Sequence, residues 1–253
     1  DVFCSLIADP KADGSFMSYF RGRSPSPFGT DLASVGIGDR LGLFRWNGPA
    51  LGEGIQLSLS GNIYSQFDLN TPSIDLINAD YVIGLPLTLR RGRWSGRLRL
   101  YHQSSHLGDE FLLRGTIPRE NFAFESIETM ASLDAGPLRG YAGGEYLFSG
   151  NLTDIQSRVA HAGAELRAPG GLFPVGKLAR VRPIAALDAK LIETLEWKVA
   201  WSARAGFEVT RPPGEHKARR WSLVGEYYDG PSPYGQFFHD QVSYYGLGLH
   251  LGP

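Results

Sequence analysis

His102 and Ser104 stand two residues apart near the middle of the chain, and Glu128 follows on the next predicted strand. These are the residue types of serine-dependent acyl transfer. A serine hydroxyl becomes nucleophilic when a base takes its proton, an imidazole serves as that base, and a carboxylate orients the imidazole and steadies its charge. Asp109 offers a second choice of acid. His106 lies on the same segment, but residues four apart on a strand sit ~13 Å from each other, too far to share one ion. Asp9 and Asp13 could offer oxygens to calcium, yet Pro10 and Gly14 beside them read as a solvated turn. Gly36-x-Gly38 and Gly143-Gly144 open no helix and so cradle no phosphate. Neither a metal nor a cofactor is expected.

For the three candidates to act together, regular elements must bring them to one face. The chain has 253 residues, 32 of them glycine and 2 methionine, with a formal net charge of −1. That charge gives no electrostatic footprint for nucleic acid. No stretch of about eighteen apolar residues occurs, which excludes a membrane-spanning helix but not a membrane barrel. Cys4 is the single cysteine, so no internal disulfide can form.

Alternation is clearest from Thr194 to Arg211. Leu195, Trp197, Val199, Trp201, Phe207 and Val209 share one parity; Glu196, Lys198, Ser202, Arg204 and Glu208 share the other. Ile55 to Leu69 sets Ile55, Leu57, Leu59 and Ile63 against Gln56, Ser58, Ser60 and Asn62, and Trp94, Leu98 and Leu100 oppose Ser95, Arg97 and Arg99. Weaker versions recur along the rest of the chain. The pattern predicts an all-β, transmembrane, antiparallel up-and-down barrel of about twelve strands, with no helix. It forms one domain over 1–253, residues 1–14 being a periplasmic extension.

The polar parity collects Arg97, Arg99, Glu145, Glu165, Arg167, Asp188, Lys190, Glu196, Lys198, Arg204, Glu208 and Glu226. Opposite charges in such numbers suit a narrow lumen that neutralises itself, and His161 joins them by parity. Trp94, Trp221, Tyr227, Tyr244 and Tyr245 fall toward strand ends, as interfacial girdles do. Loops 109–121 and 229–241 are the longer ones. The second carries Tyr234, Phe237 and Phe238, an aromatic surface fit to meet a protein partner.

Parity then places the candidates. His102, Ser104 and His106 fall on the greasy face set by Trp94, Leu98 and Leu100. A hairpin symmetric about Gly115 puts Glu128 beside His102, on the parity of Phe122, Phe124 and Met130. Polar groups on a lipid face need a functional reason.

Two resemblances add to this reading. Ala8-Asp9-Pro10, Ala79-Asp80-Tyr81 with Gly84-Leu85-Pro86-Leu87, Tyr101 to Phe111 (YHQSSHLGDEF) and Gly235-Gln236-Phe237 resemble a family of uncharacterised bacterial outer-membrane proteins. That resemblance implies location and fold without chemistry. The outward His-x-Ser is similar to outer-membrane phospholipases and lipid A deacylases, which implies Ser104 as nucleophile, His102 as base and Glu128 as orienting acid. Three functions are therefore open. They are a structural or partner-anchoring barrel, a lipid acyl-ester hydrolase, and a narrow substrate-selective channel. The expected surroundings are the bacterial outer membrane, its lipids and its lipopolysaccharide.

Overall fold

The computed structural model describes residues 2–22, 30–114, 121–151, 157–169, 173–175, 179–210 and 220–252. Its strands are β1 (Ser15–Gly22), β2 (Asp31–Asn47), β3 (Gly54–Asp68), β4 (Asp75–Arg91), β5 (Trp94–Leu107), β6 (Phe122–Ala135), β7 (Leu138–Gly150) and β8 (Ser157–Arg167). They continue as β9 (Phe173–Val175), β10 (Ala179–Ile192), β11 (Lys198–Thr210), β12 (Arg220–Pro231) and β13 (Gln241–Gly252). Each pairs antiparallel with its neighbour, and β13 returns to β1. Short β9 pairs only with the start of β10; the other twelve strands close the cylinder.

The cylinder is inside out relative to a soluble protein. Leu41 is 64% exposed, Leu223 59% and Trp94 58%, whereas Glu165 is 1% exposed and Asp188 2%. A soluble barrel with the same alternation would bury the tryptophans and wet the carboxylates. Trp46, Trp94 and Trp221 point outward at the end that holds the β4–β5 and β6–β7 turns, and Tyr227 and Tyr245 point outward nearer the other. This is a transmembrane β-barrel. Tyr244 departs from the girdle reading, because it faces inward and stacks on Tyr228 at 5.1 Å between centroids.

Residues 2–13 do not extend away from the barrel. They enter the lumen, turn at Asp9–Pro10–Lys11 and return to β1, filling the cylinder as a plug. Ion pairs hold the turn: Lys190 to Asp9 at 2.7 Å, Lys11 to Asp80 at 2.6 Å and Arg40 to Asp13 at 2.6 Å. The backbone of Ile7 is satisfied as well, Arg204 donating to its carbonyl at 2.7 Å and Glu165 accepting from its N–H at 2.7 Å. Phe3 packs beneath the guanidinium groups of Arg97 and Arg139. Asp9 and Asp13 are thus buried in salt bridges and form no solvated turn. The turn supplies counter-charges to three wall residues, Lys190, Asp80 and Arg40.

Three more expectations change. Glu196 and Lys198 are exposed at the rim, outside the lumen network. The β10–β11 return is tight, so Glu193–Leu195 forms a 3-10 turn and Glu196 and Trp197 take φ of +57°, left-handed backbone that interrupts the alternation. A helix does occur, α1 (Asp109–Arg114), after β5. Finally, loop 229–241 offers no aromatic contact surface, since Tyr234 and Phe237 are buried. Asp80 accepts from the Gly235 N–H at 3.0 Å and Ser105 from the Gln236 N–H at 3.1 Å, drawing this loop into the barrel mouth.

Gly108 joins β5 to α1 against β4. A Cβ there would lie 1.9 Å from the Leu76 carbonyl oxygen, a backbone atom that cannot yield. Gly108→Ala should cost about 1–3 kcal/mol, read as a lower unfolding midpoint of the detergent-solubilised barrel. A midpoint equal to the parent's would show that this junction is not tight.

Candidate functional site on the outer wall

The ladders from β4 to β5 and from β5 to β6 run without a register shift. Parity therefore carries unbroken along β5: Tyr101, Gln103 and Ser105 face the lumen, and His102, Ser104 and His106 face outward. His102 and Ser104 thus share the outward face with Leu98 and Leu100.

The acid is a different residue. His102 faces Glu125 across the ladder and Ser104 faces Ala123. The hairpin centre lies between Leu113 and Arg114 instead of at Gly115, an offset that exchanges the faces of β6. Glu128 consequently points into the lumen, accepting from Arg97 Nε at 2.7 Å and Arg99 Nη2 at 2.8 Å. Glu125 takes its place outside: His102 Nδ1 and Glu125 Oε1 are 3.0 Å apart. Their side chains are 42% and 41% exposed, among Ile83, Leu98 and Leu100 on the same wall.

With Nδ1–H donated to the carboxylate, Nε2 keeps its lone pair, the tautomer a general base requires. Ser104 is the next outward residue, ~7 Å along the strand from Cα to Cα. Beyond it Tyr81 and His106 meet edge to face, with ring centroids 5.8 Å apart. The β6–β7 ladder shifts register between Glu125 and Ser126, leaving Phe148 without a partner and Ser149 opposite Glu125. Bulges of this kind re-aim side chains and recur beside functional sites. Asp109, the other proposed acid, is in α1 and is exposed. Among the described residues, no cluster of three or more His, Cys, Asp or Glu could hold a metal ion.

The aromatics on β6 hide Glu125 from a reading by parity alone. Phe122 and Phe124 face inward and pack with Phe238 and Tyr101 in the closed loop end of the lumen, so the inner face there is as greasy as the outer one. The available signal was electrostatic. The symmetric register sets Arg99 against Ala131, whereas the observed one sets it against Glu128.

The other lumen charges meet in clusters shared with residues not singled out. Arg139 and Arg167 meet Glu165, Arg167 and Arg182 meet Glu208, Arg204 and His250 meet Glu226, and His161 meets Asp188 at 2.6 Å. Glu145 accepts from the Tyr101 hydroxyl. Breaking one such pair leaves its partner buried without a counter-charge. Glu128→Ala should therefore destabilise the barrel by about 3–5 kcal/mol through Arg97 and Arg99, while any outer-wall chemistry in the folded fraction survives. A chemical-denaturation midpoint within error of the parent would refute this.

The family model described as Protein of unknown function (DUF1207) matches residues 1–252. The chain belongs to that family. Outer membrane phospholipase A from Escherichia coli superposes on this DUF1207 barrel with a TM-score of 0.62 at 14% identity, over 97% of this chain and 91% of that one. The Salmonella typhi outer membrane phospholipase dimer with bound calcium gives 0.62 at 12% identity, over 94% and 90%. An active-site mutant of the E. coli protein at pH 6.1 gives 0.62 at 13%, over 97% and 91%. At these identities the likeness establishes the DUF1207 fold as that of an outer-membrane barrel. No curated protein matches the sequence.

Proposed function

We propose that this DUF1207 protein resides in the bacterial outer membrane and hydrolyses lipid acyl esters on its outer wall. The observation that carries this reading is the His102–Glu125 hydrogen bond at 3.0 Å, facing hydrocarbon, with Ser104 next on the same face. An uncoupled structural barrel has no need for an imidazole–carboxylate pair there, where polar groups are costly. The channel reading is disfavoured by residues 2–13, which occupy the lumen.

In the reaction, His102 Nε2 takes the Ser104 proton as Oγ attacks the ester carbonyl. The alcohol oxygen leaves with that proton, and the acyl group stays on Ser104. Water, deprotonated by the same imidazole, then releases the fatty acid and restores the serine. Glu125 holds the ring and balances its transient positive charge. A shallow outer-wall trough beside His102, lined by Ile37, Ile63, Tyr81 and Ile83, is fit to lie along an acyl chain. The fold likeness to outer membrane phospholipase A is consistent with lipid as substrate.

The test is fatty-acid release from phospholipid and from lipid A in mixed micelles, together with labelling by an alkyl fluorophosphonate. Release accompanied by label on Ser104 supports the reading. No release from either lipid and no label on Ser104 would sink it.

A further inference from the structure

A second site lies inside the barrel. Between the plug turn and the loop end is a cavity of about 400 Å³, within the size range of small-molecule pockets. Its floor is Asp9–Lys11 and its roof includes Pro233 and Phe238. Tyr101, Phe122, Phe124 and Tyr228 give it aromatic walls, while Ala200 and Ser202 on β11 are too short to fill the space opposite them.

The lining holds three carboxylates, Asp9, Glu145 and Asp188, against two ammonium groups, Lys11 and Lys190. Two ammonium groups line the cavity, and each has its own carboxylate: Lys11 with Asp80 at 2.6 Å and Lys190 with Asp9 at 2.7 Å. Two further lining carboxylates remain. Asp188 accepts from the Tyr141 hydroxyl at 2.5 Å and meets His161 Nε2 at 2.6 Å. Half-buried Glu145 accepts from the Tyr101 hydroxyl and, among the described residues, has no ion pair. The lining thus has one carboxylate more than it has ammonium groups, and a buried carboxylate attracts a cation more strongly than one in water does. Aromatic faces favour one too, and Tyr101 already holds the Arg99 guanidinium 4.5 Å above its ring.

We propose that this lumenal cavity binds a small organic cation with an apolar body, its ammonium group against Glu145 and its body among Tyr101, Phe124 and Tyr228. The site is separate from the outer wall and does not depend on hydrolysis there.

Phenethylammonium and its neutral isostere 2-phenylethanol make a matched pair of probes for calorimetric titration of the full chain in detergent. The parent should bind the ammonium at least about tenfold more tightly than the alcohol. Glu145→Gln, which keeps shape and removes charge, should bring the two within about twofold of each other. Ser202→Phe, which fills the cavity from the far wall, should remove binding of both. Folding of each variant is checked by heat-modifiable migration on gels, and the Ser202 variant stands alone should the Glu145 variant fail to fold. Absence of saturable ammonium binding, a preference that persists in Glu145→Gln, or binding undiminished by Ser202→Phe would each overturn the proposal.

Discussion

Ser104→Ala should lower lipid acyl-ester hydrolysis about 10³-fold or more while the barrel stays folded. The substitution removes one oxygen from a half-exposed position on the outer wall. The loss is therefore chemical, and nucleophiles that work through a base show losses of that size. His102→Ala should fall as far, and the double variant little further, because the two groups act on one proton and their effects do not add. Glu125→Gln should lose about 10–10²-fold, since an amide still accepts the Nδ1 proton but no longer offsets the imidazolium charge. Initial rates in mixed micelles at matched folded protein decide the matter. A Ser104→Ala rate within twofold of the parent, or a Glu128 variant that loses activity as steeply as the Glu125 one, would remove this site from consideration.

Excising residues 2–13 should produce the second large effect. The intact chain should show no single-channel conductance in planar bilayers, because the plug and its ion pairs occupy the lumen. Without the plug, Lys190, Arg40 and Asp80 each lose a salt-bridge partner, and Arg204 and Arg139 lose the carbonyl oxygens of Ile7 and Cys4. Water must enter to solvate them. Two results should follow together: measurable ion conductance, and a lower unfolding midpoint. The midpoint loss is smaller than the sum of buried-pair penalties of about 3–5 kcal/mol each, since the emptied lumen becomes wet. A plug held only by shape would give conductance without loss of stability. Equal conductance from the intact and excised chains would show that residues 2–13 do not seal the lumen.

Both expectations rest on which way side chains point, and here sequence and tertiary structure contributed differently. Period-two alternation over strands as long as β3 and β5 needs no partner to be read, because the backbone itself sends successive residues to opposite faces. Arg97, Arg99, Glu165, Asp188 and Arg204 on one parity, with Leu98, Leu100, Trp201 and Phe207 on the other, thus disclosed a greasy-outside barrel, its ionic lumen and the outward stance of His102 and Ser104. Pairing between strands is a different matter. Register depends on how a connection spends its residues, and α1 displaced the β5–β6 hairpin centre enough to replace Glu128 by Glu125 beside His102. The turn before β11 broke an alternation that looked continuous, which carried Glu196 and Lys198 to the rim. Residues 2–13 lack any periodicity, so their place in the lumen became visible only once Lys190, Asp80 and Arg40 of the wall were assembled around Asp9, Lys11 and Asp13. Local backbone geometry sets the face of each residue; the long-range balance of charge and the lengths of connections select its neighbours.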